Sequence, residues 1–568
     1  MTLALHAAAM PRRIRSMFAL GFAVGVLSPA AGAQPRPEAT PNALTNPSAV
    51  YTVQATSEPT YLKTFTDPTF GSKLMRIAQD AGTSTSPVSG TWGSDTRHHY
   101  SKTQPWSADG ALYVLENRSG GSPSNLVLDG HTFAPLFGVP TSAGLWDYRW
   151  HPSLSHAREM INVGSSGTEL SWVNASTGQK TRTWTLPFAV DGFGQGEGNA
   201  SNDGRFIALG SSSRMFVVDM DPQLPYAPYP SKRIGPAVDI SSCGLSGCAI
   251  DWVSISASGK YAVVNYDGDH PRVFDVNPTT LALSPHAEAS GSPRCSGTAA
   301  AGFVYDVGHA DLAMNPFDNH ADVMIGQEHC GNHGKTIGGK AVGYVVMVRL
   351  SDGAITSLTS PDNEAYPHHV STRNILQPGW AIVSHYKSSG TRFSDEIMAV
   401  KMDGSLACNR YMHSHSAFSG CYRCEVHPVA SPDGSMIAFA SNWAQDCGTG
   451  CGSSSVIKDY VIMAGGQVTT DAGDGPRPAA SGLALARIWP NPSSLPLRVT
   501  FALPASGPAS LELVDVAGRS VLAQELGAPG AGLHDATFGT GASLRPGTYW
   551  LRLSQGDGHT ASRVVILE

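Results

Sequence analysis

A unit in which a polar stretch leads through a tight turn into an apolar strand recurs about seven times along this chain, and it constrains the fold more than any other feature. The clearest copy spans residues 422–440, where Ser431-Pro432-Asp433-Gly434 precedes an apolar run. Other copies begin near Trp106, Trp150, Glu197, Asp251, His309 and His368. A spacing of roughly 45 to 60 residues is typical of four-stranded propeller blades. The sequence therefore predicts an all-β protein in which residues 60–465 form a seven-bladed β-propeller.

An early strand, Leu74–Ile77, precedes the first full unit. We expect it to pair with the last blade and close the ring, because an open ring would leave sheet edges exposed. The first strand of each propeller blade lines the central channel, so the residues that open each unit should converge at one channel mouth. In this chain those residues are rich in His, Glu, Asp and Trp, which makes the mouth the candidate functional site.

The composition suits a turn-rich, exported β protein. The chain has 568 residues, 61 of them Gly and 39 Pro, with only 15% charged residues. A formal net charge of −7 without a basic stripe argues against nucleic acid as a partner. Residues 1–33 resemble a signal peptide, with Arg12, Arg13 and Arg15 before a short apolar run and Ala31-Gly32-Ala33 as the cleavage site. A membrane anchor is the alternative, but no other apolar run approaches spanning length, so we expect no transmembrane segment in the mature protein.

Two linkers and a second domain follow from composition shifts. Residues 34–59 and 466–482 are rich in small residues and Pro, and are predicted as linkers. Residues 483–568 alternate as short strands and predict a small immunoglobulin-like β-sandwich. This part resembles the C-terminal sorting domain of the type nine secretion system and the related hook-capping domain. The matching features are Pro490-Asn491-Pro492, the Asp515 to Arg519 turn, Leu533-His534 and Pro546-Gly547-Thr548-Tyr549. The resemblance implies that secretion machinery is a partner and that the protein passes through the periplasm to be secreted or held at the cell surface.

Nine cysteines fit an oxidising compartment and predict disulfides. Sequence proximity suggests the pairs Cys243–Cys248, Cys295–Cys330, Cys408–Cys421 and Cys447–Cys451, with Cys424 left over. Connectivity cannot be read from sequence alone. The two-residue spacing of Cys421 and Cys424 also occurs in zinc and redox sites, but without a second such pair disulfide chemistry is favoured.

Residues 60–465 resemble the oligogalacturonate lyase family and, more loosely, other seven-bladed lyases such as ulvan lyases. Four stretches carry the resemblance: Asp67–Gly71, His99–Gln104, Gly308-His309 and Glu425–Pro428. It implies a lyase for acidic, uronate-containing glycans that acts by β-elimination. The family's base corresponds in position to His368 or His369, and His309 is a further catalytic candidate. The resemblance also implies a divalent metal at the last blade, where His427 matches one ligand of the family and Glu425 stands in place of a His. A His with a carboxylate suits manganese or calcium better than a closed structural zinc site.

The chemistry fits these residue types. A base that removes a proton beside a carboxylate must be neutral at working pH, which suits His, and a cation must offset the charge that develops. Candidate substrate-binding residues are Lys102, Gln104, Trp106, Trp150, His151 and Trp252. The three tryptophans could form a sugar-stacking rim or pack between blades. The rival hypothesis is a non-catalytic propeller that binds glycan or protein, favoured if loops or aromatic residues fill the mouth.

Overall fold

The computed structural model describes residues 44–220, 233–243, 249–286, 301–448, 451–453, 455–464, 483–489, 495–503, 505–528, 532–539, 542, 544–556 and 558–566. The predicted signal peptide, the second predicted linker and the first ten residues of the first predicted linker lie outside these ranges. Among the described residues, no helix combines the length and apolar character needed to cross a membrane.

The described chain is almost entirely β-structure. It begins with β1 (Thr64–Thr66) and β2 (Lys73–Arg76). Blade 1 contains β3 (Asp95–Arg97), β4 (Leu112–Arg118), β5 (Asn125–Asp129) and β6 (Pro135–Gly138). Blade 2 contains β7 (Asp147–Trp150), β8 (Glu159–Val163), β9 (Glu169–Asn174) and β10 (Lys180–Thr185). Blade 3 contains β11 (Phe206–Gly210), β12 (Arg214–Asp219), β13 (Arg233–Ile234) and β14 (Val238–Asp239).

The later blades repeat this plan. Blade 4 contains β15 (Ile250–Ile255), β16 (Tyr261–Tyr266), β17 (Arg272–Val276) and β18 (Leu283–Pro285). Blade 5 contains β19 (Val307–Asn315), β20 (Ala321–Glu328), β23 (Val345–Arg349) and β24 (Ile355–Ser357), interrupted by the hairpin β21 (Thr336–Ile337) and β22 (Lys340–Ala341). Blade 6 contains β25 (Pro367–Ser371), β26 (Trp380–His385), β27 (Glu396–Lys401) and β28 (Cys408–His413). Blade 7 contains β29 (Val429–Ala430), β30 (Ile437–Ser441) and β31 (Ile457–Ile462). One-turn 3-10 helices lie at Thr141–Ala143, Leu154–His156 and Tyr422–Cys424.

The early strand closes the ring as predicted. Strand β2 pairs antiparallel with β31, with Leu74 opposite Ile462 and Arg76 opposite Tyr460. It thereby supplies the fourth strand of blade 7, and β3 also contacts β31 in parallel at its other end. The prediction of a seven-bladed β-propeller is confirmed within the described residues.

The same turn chemistry recurs where inner strands reach the next strand. In blade 7 the Ser431 hydroxyl donates to Asp433 at 2.6 Å and accepts from the Met436 amide at 3.0 Å. The turn residue Gly434 has a φ of 69°, a left-handed conformation that glycine adopts without steric cost. Blades 1 and 3 repeat the arrangement through Ser107 and Ser201. This local chemistry is the physical basis of the sequence repeat.

Hydrophobic cores form between adjacent blades. Between blades 2 and 3, for example, Ile161 and Trp172 pack with Ile207 and Phe216, all nearly inaccessible to solvent. Fully burying a side chain of this kind contributes roughly 1.5–3 kcal/mol. Because successive side chains of a strand point to opposite faces of its blade, each blade packs against both neighbours, and these contacts stabilise the ring.

Residues 44–59, the described part of the first predicted linker, lie along blades 6 and 7. The buried Arg410 guanidinium donates to the carbonyls of Asn46 and Ala49 at 2.9 and 2.8 Å. The Trp443 indole donates to the Thr56 carbonyl at 2.7 Å, and the Lys458 ammonium contacts the Glu58 carboxylate at 2.8 Å. Residues 44–59 were predicted as part of a linker from their composition, but they pack against blades 6 and 7. We call this segment the strap.

The C-terminal part is a two-sheet sandwich. One sheet contains β32 (Ala484–Trp489), β33 (Leu497–Leu503) and β36 (Gly532–Phe538). The other contains β34 (Ala509–Val514), β35 (Ser520–Glu525), β37 (Gly547–Gln555) and β38 (Gly558–Ile566). Val499, Leu511 and Leu551 belong to the core between them. The alternating strand pattern predicted this second β-unit.

The disulfides differ in part from the expected pairs. Cys447–Cys451 forms as predicted. Cys421 bonds Cys424 instead of Cys408, because both lie on the single turn at 421–424, and Cys408 is a buried free thiol. Cys243 and Cys330 are also disulfide-bonded. Their expected partners, Cys248 and Cys295, lie outside the described residues.

Candidate active site at the channel mouth

The starts of three inner strands bring the predicted histidines together. His309 lies near the start of β19, His368 and His369 lie in β25, and Glu425 and His427 directly precede β29. Because equivalent positions of neighbouring blades meet at the same end of the channel, side chains that are distant in sequence become neighbours. The structure thus groups all five residues at one mouth.

One carboxylate oxygen is the focus of the group. Glu425 Oε2 lies 2.9 Å from His369 Nε2, 3.4 Å from His427 Nε2 and 3.6 Å from His368 Nε2. The ring centroids of His369 and His427 are 4.1 Å apart, and those of His309 and His369 are 4.6 Å apart and stacked. Three imidazoles therefore surround one carboxylate, with a fourth stacked behind.

Burial keeps the imidazoles neutral. Desolvation lowers the pKa of His368 to about 3 and holds the pKa values of His369 and His427 well below their usual range. It also lowers the pKa of His309, although the hydrogen bond to the His368 carbonyl acts in the opposite direction. Burial raises the pKa of the Glu425 carboxyl to about 7, and the positive charge of Arg97 offsets this only in part.

Several buried nitrogens in the group have no hydrogen-bond partner. These are both ring nitrogens of His427 and the Nδ1 atoms of His368 and His369. Leaving a buried polar atom unsatisfied costs about 1–3 kcal/mol, and such groups in a native protein require an explanation. His309 and His427 also adopt left-handed backbone conformations, with φ of 43° and 41°. Conformations of this kind cluster at functional sites, where the surroundings enforce them.

A chain of hydrogen bonds fixes His309. Its Nδ1 lies 2.6 Å from the His368 carbonyl oxygen, which also accepts from Gln327 Nε2. Gln327 Oε1 in turn contacts His329 Nε2 at 3.0 Å, and His329 Nδ1 lies 2.6 Å from Asp269. Since a carbonyl only accepts, the proton of neutral His309 resides on Nδ1, and its Nε2 keeps a lone pair.

A second set of contacts fixes His427 and was missed in the sequence. His98 Nε2 lies 2.6 Å from the His427 carbonyl oxygen, and its Nδ1 lies 2.8 Å from Asp459. Arg97 donates to the Glu425 carbonyl at 3.3 Å. The Tyr100 ring packs 4.7 Å from His427. Only the adjacency of His98 to the His99–Gln104 stretch could have drawn attention to this group.

The predicted substrate-binding residues fall into two places. Lys102 is buried near the mouth, where it pairs with Glu197 and lies 4.5 Å from the ring centre of Trp252. A separate cavity of about 40 Å³ is lined by Gln104, Trp106, Trp150 and His151. Pro152, Asn202 and Pro432, from turns at the far ends of the inner strands, complete its lining.

The tryptophans of the predicted sugar-stacking rim are buried. Trp106, Trp150 and Trp252 are at most 4% exposed and belong to three different cores. The indole nitrogens of Trp106 and Trp150 donate to the Gly130 and Pro105 carbonyls. Their burial favours the alternative in which these rings pack between blades. Gln104 is likewise engaged within the ring, where it donates to the Arg373 and Ala430 carbonyls at 3.0 Å.

The donor set suits a divalent transition ion. Ligand atoms of His368, His369 and Glu425 lie within 4.8 Å of one another, and His427 adjoins them. Neutral imidazoles with free nitrogens and one carboxylate are ligands for ions such as manganese, iron or zinc. Calcium prefers six to eight oxygen ligands, which this group does not supply. Of the two metals named from the sequence, manganese therefore fits the residues better than calcium.

Comparisons with solved structures return distant likenesses. An oligogalacturonate lyase in complex with manganese is 14% identical with a TM-score of 0.41, covering 72% of this chain and 98% of its own. An oligogalacturonate lyase from Vibrio parahaemolyticus is 13% identical with a TM-score of 0.37, covering 72% and 98%. Hydrazine synthase from Kuenenia stuttgartiensis is 13% identical with a TM-score of 0.35, covering 64% and 96%. These likenesses are too distant to transfer an activity, and the comparison with curated proteins returns no match.

The C-terminal unit has a family match. Residues 487–567 match the secretion system C-terminal sorting domain. The match covers nearly the whole sandwich and confirms the resemblance seen in its turn motifs. Residues 487–567 are therefore a secretion system C-terminal sorting domain, which implies that the protein is exported.

Proposed function

We propose that this exported propeller is a metal-dependent lyase that cleaves uronate-containing glycans by β-elimination at the channel mouth. The observation that carries the proposal is the convergence of three neutral imidazoles on the Glu425 carboxylate. Perturbed titratable groups that converge in one cluster are concentrated at functional sites. The resemblance of the blade-start motifs to uronate lyases supports the same conclusion.

The cations near the mouth are committed to other groups. Lys102 pairs with Glu197, and Arg97 donates to backbone carbonyls of the 423–425 segment. Arg423 pairs with Asp95 at 2.8 Å. A substrate carboxylate thus needs another positive partner. A divalent ion held by His368, His369 and Glu425, with His427 beside them, would bind that carboxylate and stabilise the charge that develops on it.

His309 is the best-placed base. Its Nδ1–H donates to the His368 carbonyl, so the lone pair on Nε2 is available for the proton beside the uronate carboxylate. That carbon–hydrogen bond breaks, a carbon–carbon double bond forms, and the glycosidic oxygen leaves and takes a proton from solvent. His368 and His369, the sequence-based candidates for the base, instead face Glu425 and serve as ligands. The assignment of the base thus moves from β25 to the adjacent blade.

The decisive experiment measures ultraviolet absorbance on a panel of uronate polymers, with manganese and after chelation. β-Elimination creates an unsaturated uronate, so absorbance should rise with at least one polymer and should require the ion. Absence of any rise across the panel in the presence of manganese would count against a lyase.

The second candidate function is glycan binding without cleavage. The observation that favours it is the filling of the mouth: His369 and His427 are fully buried, and the Tyr100 to Thr103 segment is itself buried inside the ring. Calorimetry on the same polymers separates the two. Binding of a uronate polymer without any absorbance change would establish the binding module in place of the lyase.

We further propose that a signal peptide at residues 1–33 directs the protein to the periplasm. The type nine secretion machinery then recognises the sorting domain and exports the protein. A truncation that ends at residue 465 should remain in the periplasm with an unchanged melting temperature for the ring. The matched control restores residues 466–568 and should return the protein to the surface or medium. Surface delivery of the truncated chain would contradict this role for the domain.

A further inference from the structure

A row of partly exposed aromatic rings runs from the candidate site over blades 5 and 6. His333 stacks on Tyr344 at 3.6 Å between ring centres, and Tyr344 contacts Tyr366 at 4.8 Å. Tyr366 lies 6.3 Å from Tyr386, whose ring is 4.1 Å from His368. We call His333, Tyr344, Tyr366 and Tyr386 the aromatic row. Its inner end touches the proposed metal ligand His368, so it is continuous with the candidate site.

The row is assembled from loops on the same side of the ring as the site. Tyr344 directly precedes β23, Tyr366 directly precedes β25, and Tyr386 directly follows β26. Tyr386 is 37% exposed, and the other three rings are half-buried. A half-buried tyrosine offers a rigid, amphipathic face at low cost in conformational entropy, as in many binding surfaces.

Carboxylates lie behind the aromatic row. Glu364 accepts from the Tyr344 amide at 3.1 Å and lies 3.8 Å from His333 Nε2. Glu328 accepts from the His333 amide at 3.3 Å. Asp269 is paired with His329, whose ring stacks on Tyr366 with 6.4 Å between ring centres. Glu328 and Glu364 therefore make the local field along the row negative.

Two cationic side chains next to the row in sequence are engaged elsewhere. Lys387 pairs with Asp446 at 2.6 Å. Arg392 donates to the carbonyls of Pro47 and Ser360. Lys335 is exposed and donates at 3.1 Å to the neutral Asn332 amide oxygen, so it keeps its charge. A chain made only of uronate units would meet the carboxylates of Glu328 and Glu364 with Lys335 as partial compensation, so a net repulsion remains.

We propose that the aromatic row binds uncharged sugar units that adjoin the uronate held at the metal site. Stacking of pyranose faces on tyrosine rings needs no charge, and the negative field selects against further uronates. The substrate class is therefore a glycan in which neutral sugars flank a uronate, not a pure polyuronate. This inference rests on the proposed function for the position of the uronate, but binding to the row requires neither metal nor turnover.

The test is calorimetry on the chelated full-length protein with neutral pentasaccharides of xylose, glucose and galactose, and with a galacturonate pentamer. At least one neutral pentamer should bind more tightly than the galacturonate pentamer. Tyr344→Ala and Tyr366→Ala should each weaken that binding about five- to tenfold, the scale of one lost aromatic contact. Tyr344→Phe and Tyr366→Phe keep the rings and should bind like wild type.

Phe317→Ala provides a matched control, since Phe317 is 38% exposed and follows β19 at the end opposite His309. It should leave binding unchanged. Three outcomes would each overturn the inference. They are failure of every neutral pentamer to bind, stronger binding of the galacturonate pentamer, and equal affinities for the Ala and Phe variants. Because the readout is binding without metal, the lyase proposal can fail in the absorbance assay while this inference stands, and the reverse.

Discussion

Two groups of buried histidines lie in blades 6 and 7, and they differ in what they face. At the channel mouth, His368, His369 and His427 converge on one Glu425 oxygen. Within the blades, His385, His413 and His415 each pack on an aromatic ring instead. The ring centres are 5.3 Å apart for His385 and Phe393, 4.9 Å for His413 and Phe70, and 4.6 Å for His415 and Trp443.

Burial alone does not distinguish the groups. Desolvation lowers the pKa values of His385 and His413 to about 3, as it does for His368. Both groups also contain ring nitrogens without hydrogen-bond partners. A depressed pKa therefore reports burial in either place, and only the convergence on a shared carboxylate indicates chemistry. Substitutions in both groups test whether convergence is the correct criterion.

The largest effect is expected for His309→Gln. The substitution keeps a polar side chain of similar size but removes the basic nitrogen, and loss of a general base typically lowers the rate by about two to four orders of magnitude. Turnover is measured by absorbance on whichever uronate polymer proves active, and manganese affinity by titration. We expect turnover to fall while manganese affinity stays within about threefold. His369→Ala should lose both, which separates a base from a ligand; full activity in His309→Gln would refute the assignment.

The second effect concerns Glu425→Gln and pH. Loss of the carboxylate should weaken manganese binding at pH 8 by about ten- to a hundredfold or more. In the wild type the ion must displace the proton of a carboxyl whose pKa is about 7, so affinity should rise with pH and level off above about 7. The variant has no such proton to lose, and its profile should be flatter. Identical pH profiles for the two proteins would show that Glu425 does not bind the ion.

The same carboxyl should affect the stability of the chelated protein. A folded-state pKa raised above the unfolded value of about 4.3 stabilises the fold below that value, and the contribution disappears as pH rises through about 7. The melting temperature of the wild type should therefore fall relative to Glu425→Gln between about pH 4.5 and 7. The histidines act in the opposite direction, since a lowered pKa costs stability as pH falls, but they are common to both proteins.

Much of the fold could be predicted because its causes are local. The Ser-x-Asp-Gly turn recurs with the same hydrogen bonds, so its copies mark the blades. The strand that contains Leu74 precedes the first full unit, so pairing with the last blade was the place predicted for it. The Cys421–Cys424 bond and the strap at residues 44–59 were not predictable in this way. Nothing in their composition distinguishes a clipped turn or a packed strap from an ordinary loop.

The candidate site could likewise be predicted only in part. The group of histidines followed from equivalent blade positions, whereas the roles within it did not. The proposal that His309 is the base rests on its Nδ1 contact with the His368 carbonyl, 59 positions away. His98 and Asp459, which support His427, are 361 positions apart and share no motif. Long-range hydrogen bonds of this kind decide tautomer and orientation, and a single sequence carries no direct signal for them.

The smallest effect on activity is expected for His413→Ala, a substitution in the second group. His413 packs on Phe70 and is fully buried, so its loss leaves a cavity and should reduce the free energy of unfolding by about 1–3 kcal/mol. It does not touch Glu425, so turnover and manganese affinity at 25 °C should stay within about twofold of wild type. Denaturant titration measures the first quantity, and the absorbance and metal assays measure the others. If His413→Ala instead lowers turnover as strongly as His309→Gln while the ring remains folded, burial rather than convergence on Glu425 would be the property that matters, and the distinction between the two groups would have to be abandoned.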